Sequence, residues 1–313
     1  MGRLRKEEIP GLLARLRRKT AKLPPPEILR WQTEQAGEMG IRILLSGEDE
    51  WPPFLNDLHQ SPPLLFMRGT LPQDGPMAAI VGSRRCSRAG REMAALLGRG
   101  LAGAGVTVIS GLARGIDGEA HRGALDGGRT VAVLGGGIDR IYPHEHEALA
   151  GDILRRGALL GEFPPGTTPL PFHFPRRNRI IAALAELVIV VEAGERSGAR
   201  ITARHALDLG RTVGVVPGNP MNPVAAGSNQ LLFEGASPVL NTQDALELLE
   251  WGKAKPESRP WSPERCREEG VGDLEALALR SGWSLARSIE TLASWERDGR
   301  VRRLSGGRFE VSA

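Results

Sequence analysis

The chain has 313 residues, of which 41% are hydrophobic, so it can bury a substantial core and divide into two or three domains. Its 41 lysines and arginines against 37 acidic residues give a formal charge of +4, which by itself supports nucleic-acid binding only weakly. The two cysteines, Cys86 and Cys266, lie far apart in the sequence, which excludes a disulfide framework and is typical of a reducing compartment.

No apolar segment predicts export or membrane insertion. The first six residues, Met1 to Lys6, lead into no apolar region of the kind found in signal peptides. The most apolar stretch, Ile180–Ala193, contains Glu186 and is too short to span a bilayer. We therefore expect a soluble cytoplasmic protein that makes no membrane contact.

The first 75 residues are rich in proline, arginine and tryptophan. Leucines in residues 12–16 predict a short helix, which the prolines of residues 24–26 break. Ile41–Leu45 is predicted as a strand, and Leu64–Met67 is a second apolar run. We interpret residues 1–75 as a small N-terminal module packed on the main domain.

Residues 76–250 alternate between short apolar runs and helical patterns. The predicted strands are Ala78–Val81, Val106–Ser110, Thr130–Leu134, Ala158–Gly161, Leu187–Val191, Thr212–Val216 and Pro238–Leu240. The predicted helices are Gly90–Gly103, Asp117–Leu125, Glu145–Leu154, Arg177–Ala185, Ala199–Leu209, Asn229–Phe233 and Asn241–Glu250. This alternation indicates βαβ units and an α/β domain whose parallel sheet is covered by helices on both faces.

The C-terminal part of the chain predicts a linker and a third, compact domain. Residues 251–263 are polar and rich in lysine and proline, as linkers often are. In residues 264–313, helices are predicted at Asp273–Arg280 and Ser284–Asp298, followed by a β-hairpin of residues 300–312. Helix-turn-helix followed by a hairpin is the outline of a winged-helix domain.

Two basic groups fall where strands give way to helices. They are Gly82, Ser83, Arg84 and Arg85 after the first strand of the alternation, and Arg176, Arg177, Asn178 and Arg179 at the start of a helix. In an open parallel sheet, the loops that leave the carboxyl ends of the strands meet at one crevice. Helix N-termini and arginine forks at such a crevice favour phosphate, so nucleic acid is the first candidate ligand. The alternative for the first group is an ordinary capped turn with surface arginines.

Further strand ends carry glycine turns and nearby aromatics. The candidates are Ser110 and Gly111 after one strand, Gly136 and Gly137 after the next, Ser197 and Gly198 in a later turn, and Phe172 and Phe174 before the arginine cluster. Glycines let a sugar-phosphate chain approach the backbone, although each turn alone is a weak signal. The phenylalanines either stack on bases, as in sequence-tolerant single-strand binding, or anchor their loop in the core.

Other ligand and catalytic motifs are missing or misplaced. Residues 98–103 match a dinucleotide-binding glycine pattern, but they end a predicted helix instead of opening one, which indicates a helix C-cap. The chain contains neither the Gly-Lys pair of a phosphate-binding P-loop nor a G-x-S-x-G elbow. Residues 144–146 read His-Glu-His without a third histidine or a cysteine nearby. We expect no metal, no cofactor and no catalytic group.

Taken in order, these turns resemble the DNA-processing protein A family (DprA, also called Smf). The resemblance covers about residues 60–250. The shared segments are Val81–Arg84, Ser110–Asp117, Ala120–His121, Gly135–Asp139, Tyr142–Pro143, Phe174–Ile181, Ser197–Gly198, Ile201–Ala203, Val216–Gly218, Gly227–Asn229 and Gly235–Ala236. A single such segment would be weak, but the ordered set is specific.

The resemblance implies an extended Rossmann-like domain that dimerises and binds single-stranded DNA without sequence preference or catalysis. It also implies partners, because family members pass single strands to the recombinase RecA and displace single-strand-binding protein during natural transformation. Carried over by position, the residues lining the DNA pocket would be Gly82, Ser83, Arg84, Arg176, Arg177, Asn178 and Arg179, with Gly136 and Gly137 alongside and Phe172 or Phe174 stacking a base.

An enzymatic alternative comes from the Rossmann-like nucleotide phosphoribohydrolases of the LOG type. They hold a nucleoside monophosphate at the same crevice and resemble a P-G-G-x-G-T-x-x-E pattern. The corresponding segment here, Glu192–Thr202, lacks that pattern, although Glu192 or Glu195 could serve as an acid.

Overall fold

The computed structural model describes residues 37, 39–72, 74–250, 261–281 and 285–311. The chain forms two compact units, residues 1–251 and 252–313. In the parts of the chain that the structure describes, no helix is both long enough and apolar enough to cross a bilayer. The helix predicted in residues 12–16 lies outside the described residues.

The first unit is an α/β domain, as the sequence predicted. Its strands are β1 (Arg42–Leu45), β2 (Leu64–Gly69), β3 (Met77–Val81), β4 (Thr107–Ser110), β5 (Thr130–Leu134), β6 (Ala158–Gly161), β7 (Leu187–Val190), β8 (Thr212–Val215) and β9 (Ser237–Pro238). Its α-helices are α1 (Arg88–Gly103), α2 (Ile116–Gly127), α3 (Glu147–Arg156), α4 (His173–Leu184), α5 (Gly198–Asp208), α6 (Ala226–Phe233) and α7 (Thr242–Leu248). Each predicted helix is confirmed to within a few residues at its ends.

The strands form one sheet in the order β1-β2-β6-β5-β4-β3-β7-β8-β9. Strands β3 to β9 are parallel, whereas β2 pairs antiparallel with both β1 and β6. From β3 the chain builds the sheet first towards β6 and later, through β7, in the other direction. The order therefore reverses between β3 and β7, which is where open α/β sheets bind their ligands.

Alternation along the central strands builds a core on each face of the sheet. Ala78 and Ile80 of β3 pack in the cluster that contains helices α1 and α2, whereas Ala79 and Val81 pack in the cluster that contains α4 and α5. Successive side chains of a strand point to opposite faces, so a strand covered on both sides must be apolar throughout. This explains the uninterrupted apolar run at residues 77–81.

The region predicted as an N-terminal module contributes two strands to the main sheet. β1 pairs with β2, and β2 continues the sheet at β6 through the pair Met67 and Leu160. Trp51, Leu55 and Leu65 belong to the same core cluster as the helices that cover the central strands. Among the described residues, the predicted boundary at residue 75 therefore does not separate two cores.

The second unit consists of helices followed by a hairpin. Its elements are α8 (Pro263–Glu268), α9 (Leu274–Ser281), α10 (Leu285–Arg297), β10 (Val301–Arg303) and β11 (Phe309–Val311). Cys266, Leu277, Leu292 and Phe309 form its buried core. Helix α8, which the sequence analysis did not predict, begins at the position where Ser262 accepts a hydrogen bond from the Arg265 backbone N–H at 3.3 Å.

Candidate nucleic-acid interface

An open cavity of about 990 Å³ lies at the carboxyl ends of β3 and β7. We call it the trough. The predicted site residues that line it are Gly82, Ser83, Arg84, Arg85, Phe174, Arg177, Asn178, Ser197 and Gly198. Arg84, in the turn after β3, and Arg177, in helix α4, are far apart in the sequence but line the same cavity.

The turn after β3 forms one wall of the trough. A Cβ atom on Gly82 would lie 2.5 Å from a side-chain carbon of Ile116 and 2.9 Å from the Glu192 carbonyl oxygen, so only glycine fits there. The Ser83 backbone N–H donates to that same carbonyl at 2.6 Å. The close packing holds the turn rigidly and leaves the exposed Arg84 side chain in the trough, where its guanidinium lies 4.8 Å from the centre of the Phe174 ring.

The floor contains a buried arginine and a buried aspartate. Arg177 is 3% exposed, and its guanidinium donates to the carbonyl oxygens of Gly111, at 2.6 Å, and Val133. Asp117 is 6% exposed and accepts from the backbone N–H groups of Gly111 at 3.1 Å and Ala113 at 3.4 Å. Two of the three nitrogens of Arg177 are engaged by the protein, because Nη1 donates to both carbonyl oxygens and Nε donates to the Asn178 side-chain oxygen at 3.2 Å.

The ionisation of this pair follows from its burial. Burial raises the pKa of Asp117 above its ordinary value of 3.8, while the charge of Arg177 opposes that rise. Burial likewise lowers the pKa of Arg177 to about 10, against the influence of Asp117. Arg177 therefore stays protonated at neutral pH, and its positive charge lies in the floor of the trough beside Asp117.

The other two arginines of the cluster lie away from the trough. Arg176 donates to both carboxylate oxygens of Glu162, at 3.1 and 2.9 Å. Arg179 donates to Glu162 at 2.7 Å and to the Gln60 carbonyl oxygen at 2.7 Å. Neighbouring positions of a helix project in directions about 100° apart, so one helical turn divides these arginines between two surfaces.

Several other predicted residues are also outside the trough. Gly136 and Gly137 are buried beneath the segment that contains Thr167, whose carbonyl oxygen accepts from the Gly137 N–H at 2.9 Å. Ser110 is buried and donates to the Ile80 carbonyl oxygen at 2.6 Å. Phe172 is 68% exposed but does not line the trough. Gly111 lines a smaller recess, of about 50 Å³, that shares Arg84 and Phe174 with the trough.

The lining of the trough also contains residues that the sequence analysis did not select. Arg196 is exposed and lines the trough beside Ser197, which caps helix α5 by accepting from the Ala199 N–H at 3.3 Å. Tyr142 lines both the trough and the recess. Arg196 could have been found from its position after β7, whereas only the shared Tyr142–Pro143 segment indicated Tyr142.

Glu192, one of the two acids that the enzymatic alternative could use, has a structural role. It is 8% exposed, and its carboxylate accepts from the Ser87 N–H at 2.8 Å and from the Ser87 hydroxyl at 2.5 Å. The same hydroxyl accepts from the Gly90 N–H at 3.0 Å, so Glu192 ties the end of β7 to the start of helix α1. Glu195 is exposed and does not line the trough. This geometry does not favour nucleotide hydrolysis.

Metal binding finds no support in the described part of the chain, where no group of three histidine, cysteine or carboxylate side chains could hold an ion. In the His-Glu-His segment, His146 is buried and its Nδ1 donates to the Leu112 carbonyl oxygen at 2.9 Å.

The model of the family described as DNA recombination-mediator protein A matches residues 42–250. The chain belongs to this family. It is 39% identical over 284 residues to Protein Smf of Escherichia coli, an alignment that covers 85% of this chain and 76% of that protein. It is 42% identical over 206 residues to DNA processing protein DprA of Streptococcus pneumoniae, covering 65% and 73% of the two chains. The resemblance read from the ordered turns is thereby confirmed.

Solved structures of the family have the same fold. The crystal structure of DprA from Streptococcus pneumoniae superposes with a TM-score of 0.64 at 33% identity, covering 78% of this chain and 93% of that one. DNA processing protein A from Helicobacter pylori, whose structure was described for its single-stranded DNA binding mode, superposes with a TM-score of 0.60 at 28% identity, covering 67% and 95%. Both confirm the extended Rossmann-like architecture.

Proposed function

We propose that this protein binds single-stranded DNA in its trough without sequence preference and acts in the cytoplasm as a recombination mediator, by binding and without catalysis. The observation that carries the proposal is the set of exposed arginines that line this one cavity, Arg84 and Arg85 after β3 and Arg196 after β7. Within the described residues, their guanidinium groups have no ion pair, so they are available to phosphates.

The aromatic lining supports an unpaired strand. Phe174 and Tyr142 line the same cavity as Arg84. Bases in a duplex are stacked on one another, whereas a single strand can place its bases on aromatic rings while its phosphates reach arginines. Because every base has a π face, such a site tolerates any sequence. The relative from Helicobacter pylori, described for its single-stranded DNA binding mode, supports the same conclusion.

A titration tests the proposal. Fluorescently labelled oligo-dT and a duplex of equal length are titrated at several salt concentrations, with the wild-type chain, Arg84→Ala and Arg88→Ala. Arg88 is the matched control, because its side chain is 90% exposed, pairs with Glu92 and does not line the trough. We expect the single strand to bind more tightly, and Arg84→Ala to shallow the slope of log K against log salt by about 0.7.

Preferential binding of the duplex would contradict the proposal. So would an Arg84→Ala variant whose affinity and salt dependence equal those of Arg88→Ala. Since both variants lose one positive charge near the start of helix α1, a difference between them reports position in the trough and not net charge.

We extend the proposal to partners: RecA recombinase, which would be loaded on the bound strand, single-strand-binding protein, which would be displaced, and a second copy of this chain. The family description as a recombination mediator supports the first two. Exposed apolar side chains support a homodimer, since Phe233 is 88% and Leu240 is 61% exposed on either side of β9, at the edge of the sheet. Light scattering on the wild type and Phe233→Glu tests dimerisation, and a RecA filament assay on oligonucleotides covered by single-strand-binding protein tests loading.

The proposal also covers the fold of the C-terminal residues. We propose that residues 264–313 form a winged-helix domain, because α9 and α10 are followed by the hairpin of β10 and β11. To test this, residues 261–313 are expressed as a separate fragment and followed by circular dichroism on heating. A cooperative thermal transition is the expected result.

A further inference from the structure

Phe174, one of the two phenylalanines that the sequence analysis offered for base stacking, is already engaged within the protein. Its ring packs against the backbone at Gly135, where an added Cβ would lie 2.9 Å from a ring carbon. The Arg84 guanidinium lies 4.8 Å from its centre, and the Tyr142 ring lies 5.9 Å away at an angle of 40°. A base that stacked on this ring would compete with those contacts.

Tyr142 presents an aromatic surface at the same place. It is 46% exposed, whereas Phe174 is only partly exposed. It lines the trough and also the adjoining recess of about 50 Å³, which Arg84 and Phe174 share with it. Its ring is supported from behind by Phe174 at a centroid separation typical of tilted aromatic pairs.

We infer that Tyr142 is the residue on which an unpaired base stacks, and that Phe174 positions Arg84 for the phosphate of the same nucleotide. This inference rests on the proposed binding of single-stranded DNA, and it assigns base stacking and phosphate contact to different residues of the trough. Arg84 and Tyr142 line one small recess, so a phosphate and the base attached to it can be held together. The cation–π contact with Phe174 restricts the guanidinium to the side of the trough where the phosphate lies.

The two roles predict different dependence on the base. An oligonucleotide of abasic deoxyribose phosphates carries the same charge as oligo-dT but offers nothing to stack. Tyr142→Leu should weaken oligo-dT binding by about five- to 150-fold, the range found when a stacking aromatic is removed. It should leave binding of the abasic oligomer unchanged, and Tyr142→Phe should bind both ligands as the wild type does.

Phe174→Leu should weaken both ligands equally, by about two- to fivefold, because it loosens an arginine that contacts phosphate. When combined with Arg84→Ala, it should add no further loss, since the guanidinium that it positions is gone. The abasic arm also serves as the folding control, because a Tyr142→Leu variant that binds the abasic oligomer normally has an intact trough.

Different results would contradict base stacking at Tyr142 and the proposed binding of single-stranded DNA. If Tyr142→Leu loses affinity equally for oligo-dT and the abasic oligomer, or loses none, base stacking is not at Tyr142. If Phe174→Leu loses affinity for oligo-dT only, Phe174 is the stacking residue and the inference fails while single-strand binding stands. A wild-type chain that binds neither ligand would overturn the proposed function itself.

Discussion

Replacing the buried arginine of the trough floor should unfold the domain more readily and not merely weaken ligand binding. Arg177→Ala removes the positive charge beside Asp117, which is 6% exposed, and the donor to the Gly111 and Val133 carbonyl oxygens. Leaving a buried charge without the opposite charge that compensates it costs about 3–5 kcal/mol of unfolding free energy. For a domain of this size, each kcal/mol lowers Tm by about 2–4 °C, so we expect a fall of about 6–20 °C.

The loss should depend on pH in a defined direction. Burial already raises the pKa of Asp117 above 3.8, and removing Arg177 takes away the charge that opposed this rise. A carboxyl whose folded pKa is raised loses stability as the pH rises through the window between its unfolded and folded pKa values. The deficit of Arg177→Ala should therefore be smaller at acid pH, where protonation removes the charge of Asp117, and larger at pH 7.

Urea denaturation at pH 4.5 and pH 7.5, with Arg88→Ala as an exposed control, measures both effects. Adding Asp117→Asn to Arg177→Ala should recover part of the loss, since the amide oxygen still accepts from Gly111 and no buried charge remains. Wild-type stability in Arg177→Ala, or a deficit that does not change with pH, would refute this account of the floor. The same reasoning means that reduced DNA binding by Arg177→Ala is interpretable only after its folded fraction is known.

Three further predictions concern separate features of the first unit. Burial lowers the pKa of His121 to about 3, so below pH 6.5 the unfolded chain binds a proton that the folded chain does not bind. In urea titrations, His121→Asn should reduce the loss of stability on acidification by up to about 1.4 kcal/mol per pH unit. The exposed His59→Asn should not have this effect. Arg196→Ala should weaken oligo-dT and oligo-dA alike and shallow the salt slope by about 0.7, and a loss limited to one base would contradict its assignment to phosphate. Gly115 has φ of +74° and an added Cβ would lie 2.4 Å from the Ser83 carbonyl oxygen, so Gly115→Ala should lower Tm, whereas Gly151→Ala, in open space within helix α3, should not.

The sequence predicted the parts of the site that depend on chain order. Arg84 follows β3 directly and Arg177 lies in the helix before β7, so the topology of a parallel sheet with a reversal in strand order suffices to bring them together. The strands themselves were predictable because apolar runs such as residues 77–81 are buried on both faces. In these places local pattern and tertiary structure agree.

The predicted residues that lie outside the trough are held there by contacts between distant segments. Nothing local to Arg176 and Arg179 shows that Glu162, which follows β6, will hold both of them. Gly136 was selected because glycine permits close approach of a ligand, but the approaching group is the chain's own segment at Thr167 and Pro169. A glycine in the sequence therefore indicates that another group approaches the backbone closely, but not whether that group belongs to a ligand or to the chain itself.

The different positions of Arg177, in the floor, and of Arg84 and Arg196, on the walls, explain why such a trough would bind DNA without sequence preference. Arg177 is buried in the floor and supplies a fixed positive charge there, and its Nη1 already donates to Gly111 and Val133. Arg84 and Arg196 have N–H groups available for a ligand, but they lie on exposed walls, where phosphates and not base edges are the strongest acceptors. Recognition is then carried by charge and by the face of an aromatic ring, two properties that every nucleotide shares.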